Sequence, residues 1–242
     1  MAKKICLVTG ANGAIGKAVS AEFKNKNMIV IATDLYLKGI QNEKHLYEYV
    51  LDVADNSLLN KFFDEIKRKF TTVDVLVNCA GILRSKPFED LLVEEWNKTL
   101  AINLTGTFSV SQKAYQLMKH NGGGIILNIA SDAGEIGSTM SSADYAASKA
   151  GVICLTKCIA REGAKFSIRS NAIAPGFIES EMLEKFAAYW GLEKLKETVN
   201  SIPLHRMGYP EEVAKLASFL ASEDAQYITG ATFDINGGSC MN

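Results

Sequence analysis

The stretch Lys4-Ile5-Cys6-Leu7-Val8-Thr9-Gly10-Ala11-Asn12-Gly13-Ala14-Ile15-Gly16 joins a short apolar run to an amphipathic one through a glycine-rich turn. A run apolar on both faces suits a strand buried inside a parallel sheet. The periodic run over 14–26 suits a helix. Between them, Gly10, Gly13 and Gly16 let the backbone turn tightly and approach a phosphate. The helix start then offers free N–H groups and a positive dipole end to an anion. An ordinary tight loop has the same composition. The position between the first strand and the first helix favours the nucleotide site.

The same rhythm continues outward. Further strands are expected at 28–33, 47–51, 73–77, 124–130, 168–174 and 231–235, and helices at 56–69, 89–119, 144–165 and 211–221. Alternation of this kind implies an α/β class: a doubly wound, mostly parallel Rossmann sheet of about seven strands with helices on both faces. No Pro/Gly/Ser-rich linker or repeat divides the chain, so 1–242 reads as a single dinucleotide-binding catalytic domain. Two segments break the rhythm. The link from Asp34 to the strand at 47 is short and has no convincing helix. The segment 179–200 is long, helical and aromatic (Phe186, Tyr189, Trp190) and reads as a substrate lid.

Bulk properties exclude other classes. A net charge of -1 without charged blocks argues against nucleic acid or an anionic membrane as partner. No stretch approaches the roughly 20 apolar residues of a membrane span, and no leader is read, so the expected compartment is the cytoplasm. Five cysteines, scattered and odd in number, argue against a disulfide framework. Cys154 and Cys158 lie one helical turn apart and are expected as small core residues. His45, His120 and His205 are far apart in sequence, and no metal site is expected.

The second strand closes on Asp34. A carboxylate there can accept hydrogen bonds from the adenosine ribose and repels an extra phosphate. Neither Gly13 nor Leu35 supplies a compensating cation, and the next basic residue is Lys38. NAD is therefore the expected cofactor, ahead of NADP.

Tyr145 and Lys149 are four residues apart in a predicted helix and share a face. An ammonium near a phenol is expected to lower the phenol's pKa, so that it exchanges a proton with a substrate oxygen. Tyr115 and Lys119 have the same spacing. Only Tyr145 has a serine, Ser131, just upstream at the end of an apolar strand, where parallel sheets place ligands. Tyr115 is assigned to helix surface and packing.

With these residues in view, the chain resembles the short-chain dehydrogenase/reductase family over nearly its whole length. The motifs stand in the family's order: the turn 9–16, Asp34, Leu51-Asp52-Val53, Asn78-Cys79-Ala80-Gly81, Asn103, Ser131, Tyr145 with Lys149, Pro175-Gly176 and Asn236-Gly237-Gly238. The resemblance implies that Tyr145 is the acid/base. Lys149 would tune it and hold the nicotinamide ribose, Ser131 would bind the substrate oxygen, and Asn103 would anchor a proton-relaying water. It further implies cofactor contacts from Gly10, Asn12, Gly13, Ile15, Gly16, Asp34 and Leu35 around the phosphates and ribose. Asp52 and Val53 would meet the adenine, and Asn78, Ala80 and Gly81 would lie behind the ribose. Pro175, Gly176, Ile178 and Ser180 would lie at the nicotinamide. Ala14 and Cys79 depart from the commonest pattern, and Ser131 lies fourteen residues before Tyr145, one more than is common. A loop one residue longer accounts for that.

Within the family two substrate classes compete. Residues 174–180, 202–204 and 227–230 resemble the 3-oxoacyl-acyl-carrier-protein reductases. Such proteins usually take NADPH and dock the carrier on arginines, and only Lys165 stands in for those here. Residues 80–84 and 130–133 resemble dihydrodiol dehydrogenases, with Arg84 as a candidate for a substrate carboxylate. The expected function is NAD-linked hydride transfer on a dihydrodiol, sugar, polyol or similar secondary alcohol, with the 3-oxoacyl reductase as alternative and the acyl carrier protein a disfavoured partner. A non-enzymatic NAD-binding regulator is the alternative of another class. The resemblance also implies a homotetramer built on the helices near 89–119 and 144–165.

Overall fold

The computed structural model describes residues 3–36, 45–137, 140–181, 183, 189 and 191–241. Lys38, Phe186 and Trp190, named above, lie outside the described residues. Among the described residues seven strands are found: β1 (Ile5–Thr9), β2 (Ile29–Asp34), β3 (Leu46–Val50), β4 (Val75–Asn78), β5 (Gly124–Ile129), β6 (Ile168–Pro175) and β7 (Thr232–Ile235). They form one sheet in the order β3-β2-β1-β4-β5-β6-β7, and every pairing is parallel. The order reverses direction at β1, between β2 and β4, and such a switch point opens a crevice at the carboxyl ends of the strands.

The helices are α1 (Ala14–Asn25), α2 (Asn56–Phe70), α3 (Val93–Leu100), α4 (Thr107–His120), α5 (Ala133–Ile136), α6 (Ala143–Gly163), α7 (Leu192–Ser201) and α8 (Pro210–Leu220). Alternation along the strands sorts them into two layers. Cys6 and Val8 of β1 face α1 and α8, packing with Val19, Phe23, Val213 and Ala217. Ile5 and Leu7 face the other way, against Leu59, Phe62 and Ile66 of α2 and Val110 and Met118 of α4. Burial of α6 centres on Val152 against Ala130 and Ala172. Each layer excludes water from one face of the sheet, which explains why the central strands read as continuous apolar runs.

Two expectations are corrected. The single helix over 89–119 is interrupted. A 3-10 turn (Phe88–Asp90) precedes α3, and a π-helical turn (Ala101–Gly106) joins α3 to α4. The chain is extended at Leu92, whose N–H is accepted by the Glu95 side chain, so the helix begins only at Val93. Cys154 and Cys158 are exposed on α6 rather than in the core, because α6 packs on the sheet through the face that carries Val152 and Thr156. No described helix is long and apolar enough to cross a membrane.

Candidate active site

Two connected hollows lie at the carboxyl ends of the strands. A groove of about 690 Å³ runs along Gly10, Asn12, Gly13, Ile15, Gly16 and Asp34 to Gly81, Ile178 and Ser180. A cavity of about 180 Å³ continues from it, lined by Gly81, Ser131, Tyr145, Lys149, Pro175, Gly176, Ile178 and Ser180. Cys79 and Leu83 line both.

The groove is shaped by close backbone approach. Gly10 has φ 63°, and a Cβ there would sit 2.7 Å from Ala80. A Cβ on Gly16 would sit 2.2 Å from the Gly10 carbonyl oxygen, so α1 starts this close to the turn only with glycine at 16. Gly13, which precedes α1, makes no side-chain cap. Thr9 Oγ1 accepts the Ala80 N–H (3.2 Å) and ties the β1 turn to the β4 turn. Asp34, the last residue of β2, accepts the Asn12 N–H (2.9 Å) and so holds its carboxylate against the turn. Leu35 follows it and is exposed.

Other expected contacts stand further back. Asp52 accepts the Ala54 N–H (2.9 Å) and closes a local turn. Val53 is buried under the chain at Gly106, where an added Cβ would meet its Cγ2 at 2.7 Å. The Asn78 side chain points into the helix layer, not the groove. Its Nδ2 donates to Ser111 (2.9 Å) and to Asn128 (2.8 Å), its partner in register on β5. The contribution of Asn78 is therefore to pin α4 and β5 beneath the groove. Arg84 ion-pairs with Glu95 (3.6 Å) and does not line the cavity.

At the cavity, α6 carries Tyr145 and Lys149 on one face. Lys149 Nζ donates to the Ile129 carbonyl (2.7 Å) and sits 5.7 Å from the Tyr145 ring centroid. Burial brings its ammonium down to about 8. The expected lowering of the Tyr145 phenol is not found. Burial and the Asp132 carboxylate push it up to about 12, against a hydrogen bond with Ser131. Spacing of four puts the two residues on one face, but the lysine's nearest acceptor is a β5 carbonyl. The phenol thus keeps its proton through neutral pH. Cys79, also pushed up to about 12 by burial, remains a thiol and is no nucleophile.

Ser131 follows β5 and is buried, and the longer loop between it and Tyr145 contains the short helix α5. Gly134 in that helix packs so closely on α6 that a Cβ would lie 2.7 Å from Ala150 N. Asn103 sits in the π-helical turn, wholly buried. Its side chain exchanges hydrogen bonds with Ile82 N and O (2.8 and 3.0 Å) and donates to Ser148 (3.0 Å). Its carbonyl accepts from Thr107 Oγ1 (2.7 Å). These bonds make Asn103 the brace between the Gly81 turn and α6.

Sequence reading missed Asp144. This carboxylate, fully buried at the start of α6, accepts the Tyr145 N–H (2.9 Å), Thr99 Oγ1 (2.5 Å) and the Ser142 hydroxyl. It fixes the turn that carries Tyr145. Asp144→Ala leaves the buried Thr99 hydroxyl without an acceptor and leaves the Tyr145 N–H and the Ser142 hydroxyl only their longer bonds to the Ser142 and Arg84 carbonyls (3.1 and 3.2 Å), and is expected to lower stability by about 1–3 kcal/mol. A lower midpoint in urea at unchanged slope is the readout. Met140 and Phe177, which line the cavity, were also missed, as neither belongs to a recognisable motif.

Among the described residues, no three His, Cys, Asp or Glu side chains are grouped to hold a metal ion. The arrangement offers a glycine turn at a helix start, with a carboxylate beside it in the groove, and a phenol, hydroxyl and ammonium in the adjoining cavity. Such a groove at the strand ends suits a nucleotide cofactor.

Comparison with known proteins agrees with this geometry. The family model described as enoyl-(acyl carrier protein) reductase matches residues 10–240. The 3-oxoacyl-[acyl-carrier-protein] reductase FabG of Thermotoga maritima is 40% identical, covering 97% of this chain and 97% of its own. The (3R)-3-hydroxyacyl-CoA dehydrogenase of Mus musculus is 38% identical over 98% of this chain and 96% of its own. Among solved structures, the ligand-free aldohexose dehydrogenase of Thermoplasma acidophilum superposes with a TM-score of 0.91 at 31% identity, covering 98% of this chain and 94% of that one.

Proposed function

The chain belongs to the short-chain dehydrogenase/reductase family, an oxidoreductase acting on hydroxyl and keto groups, and from that premise we propose that it is NAD-linked and works on a small ketone or secondary alcohol through Tyr145. The observation that carries this reading is the meeting of Ser131, Tyr145 and Lys149 in one cavity, continuous with a groove that ends at Asp34. A bound nicotinamide supplies the hydride in reduction or takes it in oxidation. Tyr145 gives the proton to the carbonyl oxygen, Ser131 holds that oxygen, and Lys149 stabilises the phenolate left behind. Asp34 favours NAD over NADP by charge.

For the substrate, a 3-oxoacyl or 3-hydroxyacyl thioester is the first reading. It is supported by the relatives' names and by the apolar lining from Leu83, Met140, Phe177 and Leu183. A sugar or polyol is the second, supported by the structural neighbour's name and by the half-buried Asp132 at the cavity wall. The segment 179–200 serves as lid: Ser180 and Leu183 line the cavity, and Thr198 Oγ1 of α7 reaches Met140 Sδ (3.2 Å). Exposed Phe108 on α4, and Cys154 and Cys158 on α6, support a homotetramer built on those helices.

Reduction of acetoacetyl-CoA with NADH and NADPH side by side tests the reading. Turnover favouring NADH supports it; turnover favouring NADPH overturns the role given to Asp34. The pH profile follows from the site. Reduction needs the Tyr145 proton and the Lys149 ammonium. With the phenol at about 12 and the ammonium at about 8, the lysine limits. The reduction rate is expected to be flat below about pH 8 and to fall above it. A fall that begins below neutral pH contradicts this.

A further inference from the structure

Asp132 follows Ser131 directly, and its carboxylate is held from three sides. Oδ1 accepts the Ala133 N–H (2.7 Å) and the Ser131 hydroxyl (3.1 Å). Oδ2 accepts the hydroxyl of Ser239 (3.1 Å), from the turn after β7 and 107 positions away in sequence. That turn is itself braced, with Asn236 accepting the Gly238 N–H (2.9 Å) and donating to the Cys240 carbonyl (2.9 Å). The Asp132 N–H donates to the Pro175 carbonyl (3.1 Å), and Gly176 leaves room for the carboxylate, since a Cβ there would lie 3.2 Å from Oδ2. The ends of β5, β6 and β7 therefore converge on one side chain.

We infer that Asp132 is a positioning residue: anchored by Ser239, it holds the Ser131 hydroxyl proton and so keeps it away from the Tyr145 oxygen. A hydroxyl has one proton to donate and two lone pairs to offer. In the resting site that proton is on Asp132 (3.1 Å) and the Ala133 N–H takes one lone pair (3.2 Å), so Ser131 withholds from Tyr145 the hydrogen bond that favours a phenolate, and gives its proton up to a substrate oxygen when one enters. The charge acts in the same sense, because an anion this near disfavours a phenolate. The other ionisable groups around Asp132 are Tyr145 and Lys149 on α6, Cys79 after β4 and Asp234 on β7. Of these only Lys149 carries positive charge, and it is bonded to Ile129. Asp132 thereby keeps Tyr145 protonated in the resting site.

The inference rests on Tyr145 as the proton-transfer group, but its test needs no turnover, so either can fail alone. Tyrosinate absorbance is titrated to about pH 12 in the full-length wild type, Asp132→Asn and Asp132→Glu. The Tyr145→Phe version of each identifies the step due to Tyr145 among the eight tyrosines. Asp132→Asn keeps the shape and removes the charge, and is expected to move the Tyr145 step down by about one pH unit. Asp132→Glu keeps the charge and should leave the step high. Asp132→Ser, also neutral, replaces the amide if that does not fold. Coincident curves for wild type and the neutral variants, or an equal shift in Asp132→Glu, would overturn the inference and leave Asp132 a structural residue only.

Discussion

Tyr145→Phe is expected to lower carbonyl reduction on the order of a thousand-fold while NADH still binds. The hydroxyl holds a proton at neutral pH and lines the cavity with Ser131 and Lys149. The ring remains, so the packing of α6 and the groove at Gly10–Gly16 are untouched. The loss therefore falls on the chemical step and not on cofactor affinity. Steady-state rates with acetoacetyl-CoA, beside NADH titration by fluorescence, separate the two. A variant that turns over at the wild-type rate removes Tyr145 from the mechanism.

The second large effect is expected at Asp34. Its carboxylate rests against the glycine turn through Asn12, and in the proposed binding mode a 2′-phosphate would lie beside it. Two unit charges about 5 Å apart interact by about 3 kcal/mol at an effective dielectric near 20. Partial exposure of Asp34 reduces that to about 2 kcal/mol, on the order of 30-fold. Asp34→Ala should therefore swing the ratio of NADH to NADPH affinity by that factor toward NADPH, and also free the Asn12 N–H to meet the phosphate. An unchanged ratio would mean that discrimination lies elsewhere in the groove.

Much of this was legible in the sequence for a physical reason. Strands buried on both faces, such as β1 and β4, leave apolar runs with nothing polar to blur them, and the more polar or half-exposed β3, β6 and β7 still lie within a residue or two of their expected places because they hold the β-then-α rhythm. Glycines forced by close approach, as at Gly10 and Gly16, are visible because no other residue fits. What the sequence hid was non-local or silent in pattern. The π-helical turn at 101–106 adds a residue to a helix without changing its composition. Asp144 looks like a solvated acid at a helix start, and only its partner Thr99, 45 positions earlier, reveals a buried hub. Lys149 shares a face with Tyr145, yet the carbonyl that captures it belongs to β5, which spacing along α6 cannot show. The Asp132–Ser239 bond joins residues on different strand ends, with no local signal at either.

The most direct test of the account is isotopic. The protein is incubated with acetoacetyl-CoA, and separately with an aldose, in the presence of NADH carrying deuterium at its hydride-bearing ring carbon or of the oxidised cofactor. The account predicts deuterium at the carbinol carbon of the 3-hydroxyacyl product, or cofactor reduction by the sugar, and neither in Tyr145→Phe. Protein that binds NADH but moves no hydride with either substrate class would contradict it and favour a cofactor-binding regulator.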